Sequence, residues 1–195
     1  MPKEETAPLR YDWEALAPES GELSTARLVL TPPTAEDAPA LTRIQNTDFV
    51  LRYNAMERWD EERMRGWIER NSPRQIVLRI REDLSPIGLV GLGEDSLRYG
   101  VDSVELNGYL SEDYARQGYM KEALARILQA LFDAGAERVA ARAFAPNTAS
   151  RRLLESLGFR QEGLLRRAVR GFGGVVFDDT LYSVARDEFS PPEEK

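Results

Sequence analysis

Residues 114–124 read YARQGYMKEAL. A glycine flanked by an amide and an aromatic arrives where a strongly amphipathic pattern begins. From Met120 the apolar residues Ala123, Leu124, Ile127, Leu128, Leu131 and Phe132 recur at helical spacing, which predicts a long helix with one continuous apolar face. Gly135 is placed to cap its end. The first turn of such a helix exposes up to four N–H groups without partners and carries about half a positive charge. Glycine backbone beside them admits close approach. The N–H groups of Gln117, Gly118, Tyr119, Met120 and Lys121 therefore form a candidate anion site, with the Lys121 side chain adding charge. The glycine also has a plainer reading, as the residue that eases a turn. The stretch matches neither GxxxxGK[ST] nor GxGxxG, so its surroundings decide.

Upstream, ARLVLTPP (26–33) alternates and stops at prolines, as an edge-type strand does. TAEDAPALTRIQN follows as a helix, with Thr34 and Asp37 spaced as a capping box and Leu41 and Ile44 on its apolar stripe. DEERMRGWIERN (60–71) reads as a second helix, with Met64, Trp67 and Ile68 on one face. QIVLRIRED (75–83), PIGLVGLGE (86–94) and SVELNGYL (103–110) are short, β-rich and separated by turn residues, which predicts an antiparallel meander. Downstream of the long helix, RVAARAFA (138–145) alternates as a strand. NTASRRLLESLGF is a short helix started by Asn147 and stopped by Gly158, and two strands follow around a Gly-rich turn. The order β-α-α-β-β-β-α-β-α-β-β predicts one α+β domain with helices on a mostly antiparallel sheet, and its strand–loop–helix–strand centre has βαβ geometry. Residues 1–22 read as an extension, part ordered and part mobile, 23–189 as the domain, and 190–195 (SPPEEK) as a disordered tail.

The composition narrows the chemistry. The chain has 195 residues, 42% apolar and 30% charged, enough to bury a core without staples. Its net charge of −7 speaks against a nucleic-acid partner, which needs a basic face. There is no cysteine, so disulfides, thiolate metal sites and thiol nucleophiles are excluded. There is no histidine either, which removes the commonest general base, the Ser-His-Asp triad and most zinc sites. No metal is expected. The N-terminal residues lack the apolar core of a signal peptide, and no apolar run approaches a membrane span. The expectation is a cytoplasmic protein without a membrane partner.

The stretch 104–183 resembles the core of the GCN5-related N-acetyltransferase (GNAT) superfamily, and is most similar to the branch of ribosomal-protein N-terminal acetyltransferases (RimJ/RimL-like). The residues that carry the resemblance are Glu105-Leu106 and Leu110, then Gln117, Gly118, Tyr119, Met120, Glu122 and Ala123, then Asn147, Ser150, Leu157, Gly158, Phe159, Glu162 and Gly163. The opening STARLVLTPPTAEDAPAL and closing DDTLYSVARDEF extend it over roughly residues 24–189. The resemblance implies a GNAT-like fold, with a mixed, mostly antiparallel twisted sheet flanked by helices on both faces, and acetyl-CoA as co-substrate. It implies that the loop, with Leu110, Arg116, Gln117, Gly118, Tyr119, Met120 and Lys121, wraps the cofactor's pyrophosphate. It also implies that Asn147 touches the pantetheine arm. Ser150 is counted with it among the cofactor-binding candidates, and Arg151, with Arg152, is a candidate for the 3′-phosphate and adenine end. Two loop positions depart from the pattern. Ala115 replaces an Arg or Gln, and Arg116 replaces a glycine, where a side chain calls for less strained backbone.

Acetyl transfer needs a neutral amine, a polarised thioester and a proton for the leaving thiolate. An ammonium has a pKa of roughly 8 at an N-terminus and about 10.4 on lysine, so a base must take its proton. Alternation puts Glu105 opposite Val104 and Leu106. It reads either as general base, directly or through water, or as a solvated strand residue. Glu162 is the second carboxylate, with pairing to a nearby Arg as its alternative. Ser150 is the donor that the resembling branch implies for the thiolate, and capping is its alternative. Leu154 stands where a tyrosine donor often lies. Arg151 and Arg152 have a solvated helix face as their alternative. The cluster Arg160, Arg166, Arg167 and Arg170 reads as pairing with local carboxylates or as a site for an acidic part of the acceptor, and local pairing is favoured. Tyr53, Trp59 and Trp67 wall the acceptor side by resemblance, or pack in the core. The reading is an enzyme acetylating a primary amine, either a protein N-terminus or a small molecule, with a homodimer possible. A non-catalytic acyl-CoA-binding module is the alternative.

Overall fold

Alternating apolar residues build the sheet first. In the computed structural model, which describes residues 10–17 and 22–191, strands β1 (Leu23–Ser24), β2 (Leu28–Thr31), β3 (Gln75–Ile80), β4 (Pro86–Glu94) and β5 (Ser103–Leu110) pair antiparallel in chain order. Strand β6 (Arg138–Phe144) then joins β5 in parallel, and β8 (Val176–Ala185) and β7 (Arg160–Arg170) complete the order β1-β2-β3-β4-β5-β6-β8-β7. The helices are α1 (Trp13–Leu16), α2 (Ala38–Gln45), α3 (Asp48–Leu51), α4 (Glu61–Asn71), α5 (Tyr119–Asp133) and α6 (Thr148–Glu155). None of them is long and apolar enough to cross a membrane, among the described residues. Residues 1–9 and 192–195, where mobility is expected, lie outside the described residues.

Each face of the sheet has its own core. On one, Leu28, Leu30, Ile76, Leu78, Val104, Leu106, Val139 and Tyr182 pack with the apolar face of α5. On the other, Val77, Leu89 and Tyr109 pack with Leu41 and Ile44 of α2 and Met64 and Ile68 of α4, and Trp59 and Trp67 lie against that cluster. The alternation of one strand thus feeds two layers. The N-terminal extension is not separate from this architecture, because Tyr11 and Leu16 are buried in the larger core.

The ends of the elements follow their sequence. Asp60 caps α4 by accepting from the Arg63 N–H at 2.8 Å, and Thr34 and Asp37 form the capping box. The first turn after Thr34 is a 3-10 helix, Ala35–Asp37, continued by α2. At the far end of α5, Ala136 N–H donates to the Leu131 carbonyl and Gly135 N–H to that of Phe132, a Schellman closure that Gly135 permits at φ 108°. One expectation needs correcting: the strand within 26–33 is not at the sheet edge. The two-residue β1 covers it, and the long exposed edge is β7, at the opposite end.

Candidate active site

The site forms where two central strands part. Parallel pairing of β5 and β6 runs from Ser103↔Arg138 to Leu106↔Ala141 and stops, although β5 continues to Leu110 and β6 to Phe144. Strand β5 stays on β4 in unbroken register through Gly88↔Leu110. A Cβ on Gly108 would come within 2.5 Å of the Leu89 carbonyl oxygen, so glycine permits that close approach. Residues 107–110 of β5 and 142–144 of β6 are left with facing edges that bond to no strand. An open edge of this kind accepts an extended partner through its N–H and C=O groups.

The loop from Ser111 closes the wide end of this splay and delivers α5. A short 3-10 turn (Glu112–Tyr114) leads into Ala115 and then Arg116 and Gly118, both in left-handed backbone at φ 62° and 87°. Arg116 thus adopts backbone that glycine takes freely, against the expectation of a less strained backbone there. The strain this carries is about 1–2 kcal/mol. Among the described residues, no protein acceptor bonds the N–H groups of Arg116, Gln117, Gly118, Tyr119, Met120 or Lys121, and the first helical bond is Glu122 N–H to the Gly118 carbonyl. Six amides therefore stand open at the positive end of a 15-residue helix.

Arg27, which the sequence reading missed, braces this end. Its Nε donates to Glu122 Oε2 at 2.7 Å and its backbone N–H to Oε1 at 2.9 Å, while Nη1 donates to the Gln117 carbonyl at 3.1 Å. The guanidinium also lies 4.1 Å from the centre of the Tyr119 ring. Thr25 donates to the same carboxylate. These bonds, above all to Thr25 and Arg27, outweigh partial burial and hold the Glu122 carboxyl below the usual range. No sequence spacing links Arg27 to Glu122, so only the fold reveals the clamp.

Glu105 lies on β5 one residue before the last paired position, on the opposite face from Val104 and Leu106. Burial pushes its carboxyl above the ordinary glutamate range, while Arg142, donating from Nε at 3.0 Å, pulls the other way. Arg142 also approaches Asp179 Oδ2 at 3.7 Å, and burial likewise raises the Asp179 carboxyl. Two carboxylates of raised proton affinity thus share one guanidinium at the mouth of the splay, an arrangement suited to accepting a proton. A charged residue inside the otherwise apolar VAARAF (139–144) was a readable signal for Arg142 itself, though not for its two partners.

The other candidates divide. Asn147 caps α6, its Oδ1 accepting from the Ser150 N–H at 3.1 Å, and the two stand just beyond the end of β6. The Ser150 hydroxyl, half-buried, takes no hydrogen-bond partner among the described residues. Leu154, one turn on, is buried. Leu110 ends β5 and packs against the larger core. Glu162 lies away from the splay on β7, where Arg138 Nη2 donates to it at 3.2 Å and the Ser183 hydroxyl also donates. That hydroxyl chiefly holds its carboxyl low, as befits a brace more than a base. Arg151 is turned inward, donating to the Tyr182 hydroxyl at 3.0 Å, the Ala145 carbonyl at 3.3 Å and Gln161 Oε1 at 3.4 Å. Its guanidinium is occupied within the protein, contrary to the role expected at a phosphate. Tyr53 meets Phe144 and Phe177 edge-on at 6.5 and 6.3 Å, beside Asp179.

Residues 27–160 match the family model described as the acetyltransferase (GNAT) domain. The chain is similar to the uncharacterized N-acetyltransferase YoaA of Bacillus subtilis, with 27% identity over 183 residues, covering 84% of this chain and 96% of that protein. Its fold is similar to that of a GNAT-family acetyltransferase from Bacillus anthracis, with a TM-score of 0.77, 20% identity and coverage of 86% and 99% of the two chains. It is also similar to that of the ribosomal-protein-S5-alanine acetyltransferase from Vibrio fischeri, with a TM-score of 0.73, 18% identity and coverage of 87% and 99%.

Proposed function

The chain belongs to the GNAT acetyltransferases, and from that premise we propose that it moves the acetyl group of acetyl-CoA to a primary amine, by direct attack of the amine nitrogen on the thioester. The observation that carries this reading is the pairing of six open amides at Arg116–Lys121 with a strand edge left open beside them. The amides suit a diphosphate, and the edge suits the amide groups of a pantetheine arm. Family membership favours an enzyme over a non-catalytic module.

In this reading Glu105 accepts the proton of the acceptor ammonium, directly or through one water, and Arg142 keeps enough of it ionised to do so. Unpaired N–H groups on the β5 edge stabilise the oxyanion of the tetrahedral intermediate. The Ser150 hydroxyl, with no hydrogen-bond partner among the described residues, gives a proton to the departing thiolate. Asn147 fixes the turn that presents Ser150. Glu162 braces β7 through Arg138. The acceptor is either the amino terminus of a polypeptide or a small-molecule amine. The fold shared with a ribosomal-protein acetyltransferase is what suggests the first.

The test is release of free thiol from acetyl-CoA across a panel of peptides and small amines. Glu105→Gln is expected to lower kcat/KM by about 10²-fold or more, the usual contribution of a general base, with coenzyme A affinity retained. Ser150→Ala is expected to lower kcat, and Glu162→Gln to change the rate least of the three. No acceptor-dependent thiol release across a broad panel would overturn the reading.

A further inference from the structure

Strand β7 forms one free edge of the sheet, 11 residues long, and it is exposed along nearly its whole length. A free edge of that length presents alternate N–H and C=O groups to any extended chain. Natural edges are usually short or covered; this one instead carries Arg160, Arg166, Arg167 and Arg170 against Glu162 alone. Among the described residues, only Arg160 of these four forms an ion pair, with Glu188 at 2.7 Å. The guanidinium groups of Arg166, Arg167 and Arg170 pair with no carboxylate among the described residues, which corrects the expectation of local pairing. Arg170 bonds a carbonyl, that of Gly174, and Glu162 is taken by Arg138.

The edge is also distorted next to the site. Between Leu165↔Asp179 and Val169↔Phe177 the register slips. Arg167 there adopts φ 52°, with its N–H fastened to Asp178 Oδ1 at 2.8 Å. The bulge puts two adjacent arginines at the surface, flanked by exposed Leu164 and Leu165. In a chain of net charge −7, this is a local cationic strip with apolar side chains and open backbone. A second copy does not suit it, because β7 on β7 would set arginines against arginines. A polyanionic nucleic acid suits the arginines but not the acidic remainder of the molecule.

We propose that the β7 edge docks an extended, acidic segment of the acceptor polypeptide, downstream of the amine that is acetylated. The proposal rests on the acetyl-transfer reading for where the amine sits and on the polypeptide form of the acceptor. Along the paired row Glu105, Ala140, Ser183 and Arg160, three strand spacings separate β5 from β7, about 14 Å at ~4.8 Å each; beyond the splay the span is wider, so an extended chain needs at least about four or five residues to cover it. Acidic side chains from about the fifth residue onward would therefore meet Arg166, Arg167 and Arg170.

Two measurements test this. The first is direct binding of fluorescent peptides that share one N-terminal tetrapeptide and carry acidic, neutral or basic residues at positions 5–9. The acidic peptide is expected to bind about tenfold more tightly than the neutral one, the scale of two or three exposed ion pairs, with the advantage lost at high salt. Arg166→Glu with Arg167→Glu is expected to abolish that preference while leaving coenzyme A affinity unchanged. The second is acetylation of the same peptides, where the acidic tail should lower KM with kcat unchanged. Binding of the acidic peptide without its acetylation would uphold the docking edge and overturn the acceptor reading. Equal affinity for the three tails, tighter binding of an oligothymidylate of equal charge, or self-association through β7 would overturn the proposal.

Discussion

At Arg116 a side chain occupies backbone that glycine adopts freely, at φ 62°. Arg116→Gly is therefore expected to relieve strain of about 1 kcal/mol, offset in part by the greater freedom of the unfolded chain. Denaturant unfolding will show a small gain or near-neutrality, and a clear loss would mean that the arginine holds the loop. Glu105 carries a prediction in pH. Its carboxyl is raised by burial and lowered by Arg142, and as a base it works only when ionised. The acid limb of kcat/KM is thus expected above the ordinary glutamate range. Removing the guanidinium with Arg142→Met should shift that limb to higher pH, and Glu105→Gln should lower the rate and erase the limb. A shift to lower pH in Arg142→Met would refute the assignment. The sequence placed Glu105 and Ser150 correctly on a strand and on a helix start, because alternation and capping are local. It misjudged Arg116, because a backbone angle depends on how the loop is tied at both ends.

Among the elements, the turn that starts α2 is tied to the sheet by a buried ion pair. Arg79 on β3 donates from both terminal nitrogens to Asp37 at 2.8 Å and from Nε to Thr31 on β2 at 2.8 Å, and the Asp37 side chain is 6% exposed. Removing one partner leaves a buried charge alone, so Asp37→Ala is expected to cost about 3–5 kcal/mol, with its capping box lost as well. Thermal and denaturant unfolding will read this, and a loss below ~1 kcal/mol would show that water reaches the pair. Elements with a strong repeat were legible in sequence. The apolar stripe of α5 and the three strands of the meander fall where their periodicity puts them. The four-residue α3 and the two-residue β1 were not legible, because elements so short have no period and exist through packing alone.

For the whole molecule, the decisive feature is where pairing stops. The sequence shows β5 and β6 as strands but holds no mark for Leu106↔Ala141 as their last contact. That depends on β5 being held along β4 while β6 follows β8. The Arg27–Glu122 clamp and the Arg142 bridge between two carboxylates join residues far apart in the chain. Both are products of topology that no local pattern could reveal.

The claim on which the account depends is that the open amides at the start of α5 hold the diphosphate of coenzyme A. Backbone amide resonances followed during titration with coenzyme A, and in parallel with pantetheine lacking the diphosphate, test it directly. The account predicts large downfield shifts of the amide protons of residues 117–121 with coenzyme A and little change there with pantetheine. Binding of coenzyme A with those amides unmoved would contradict it.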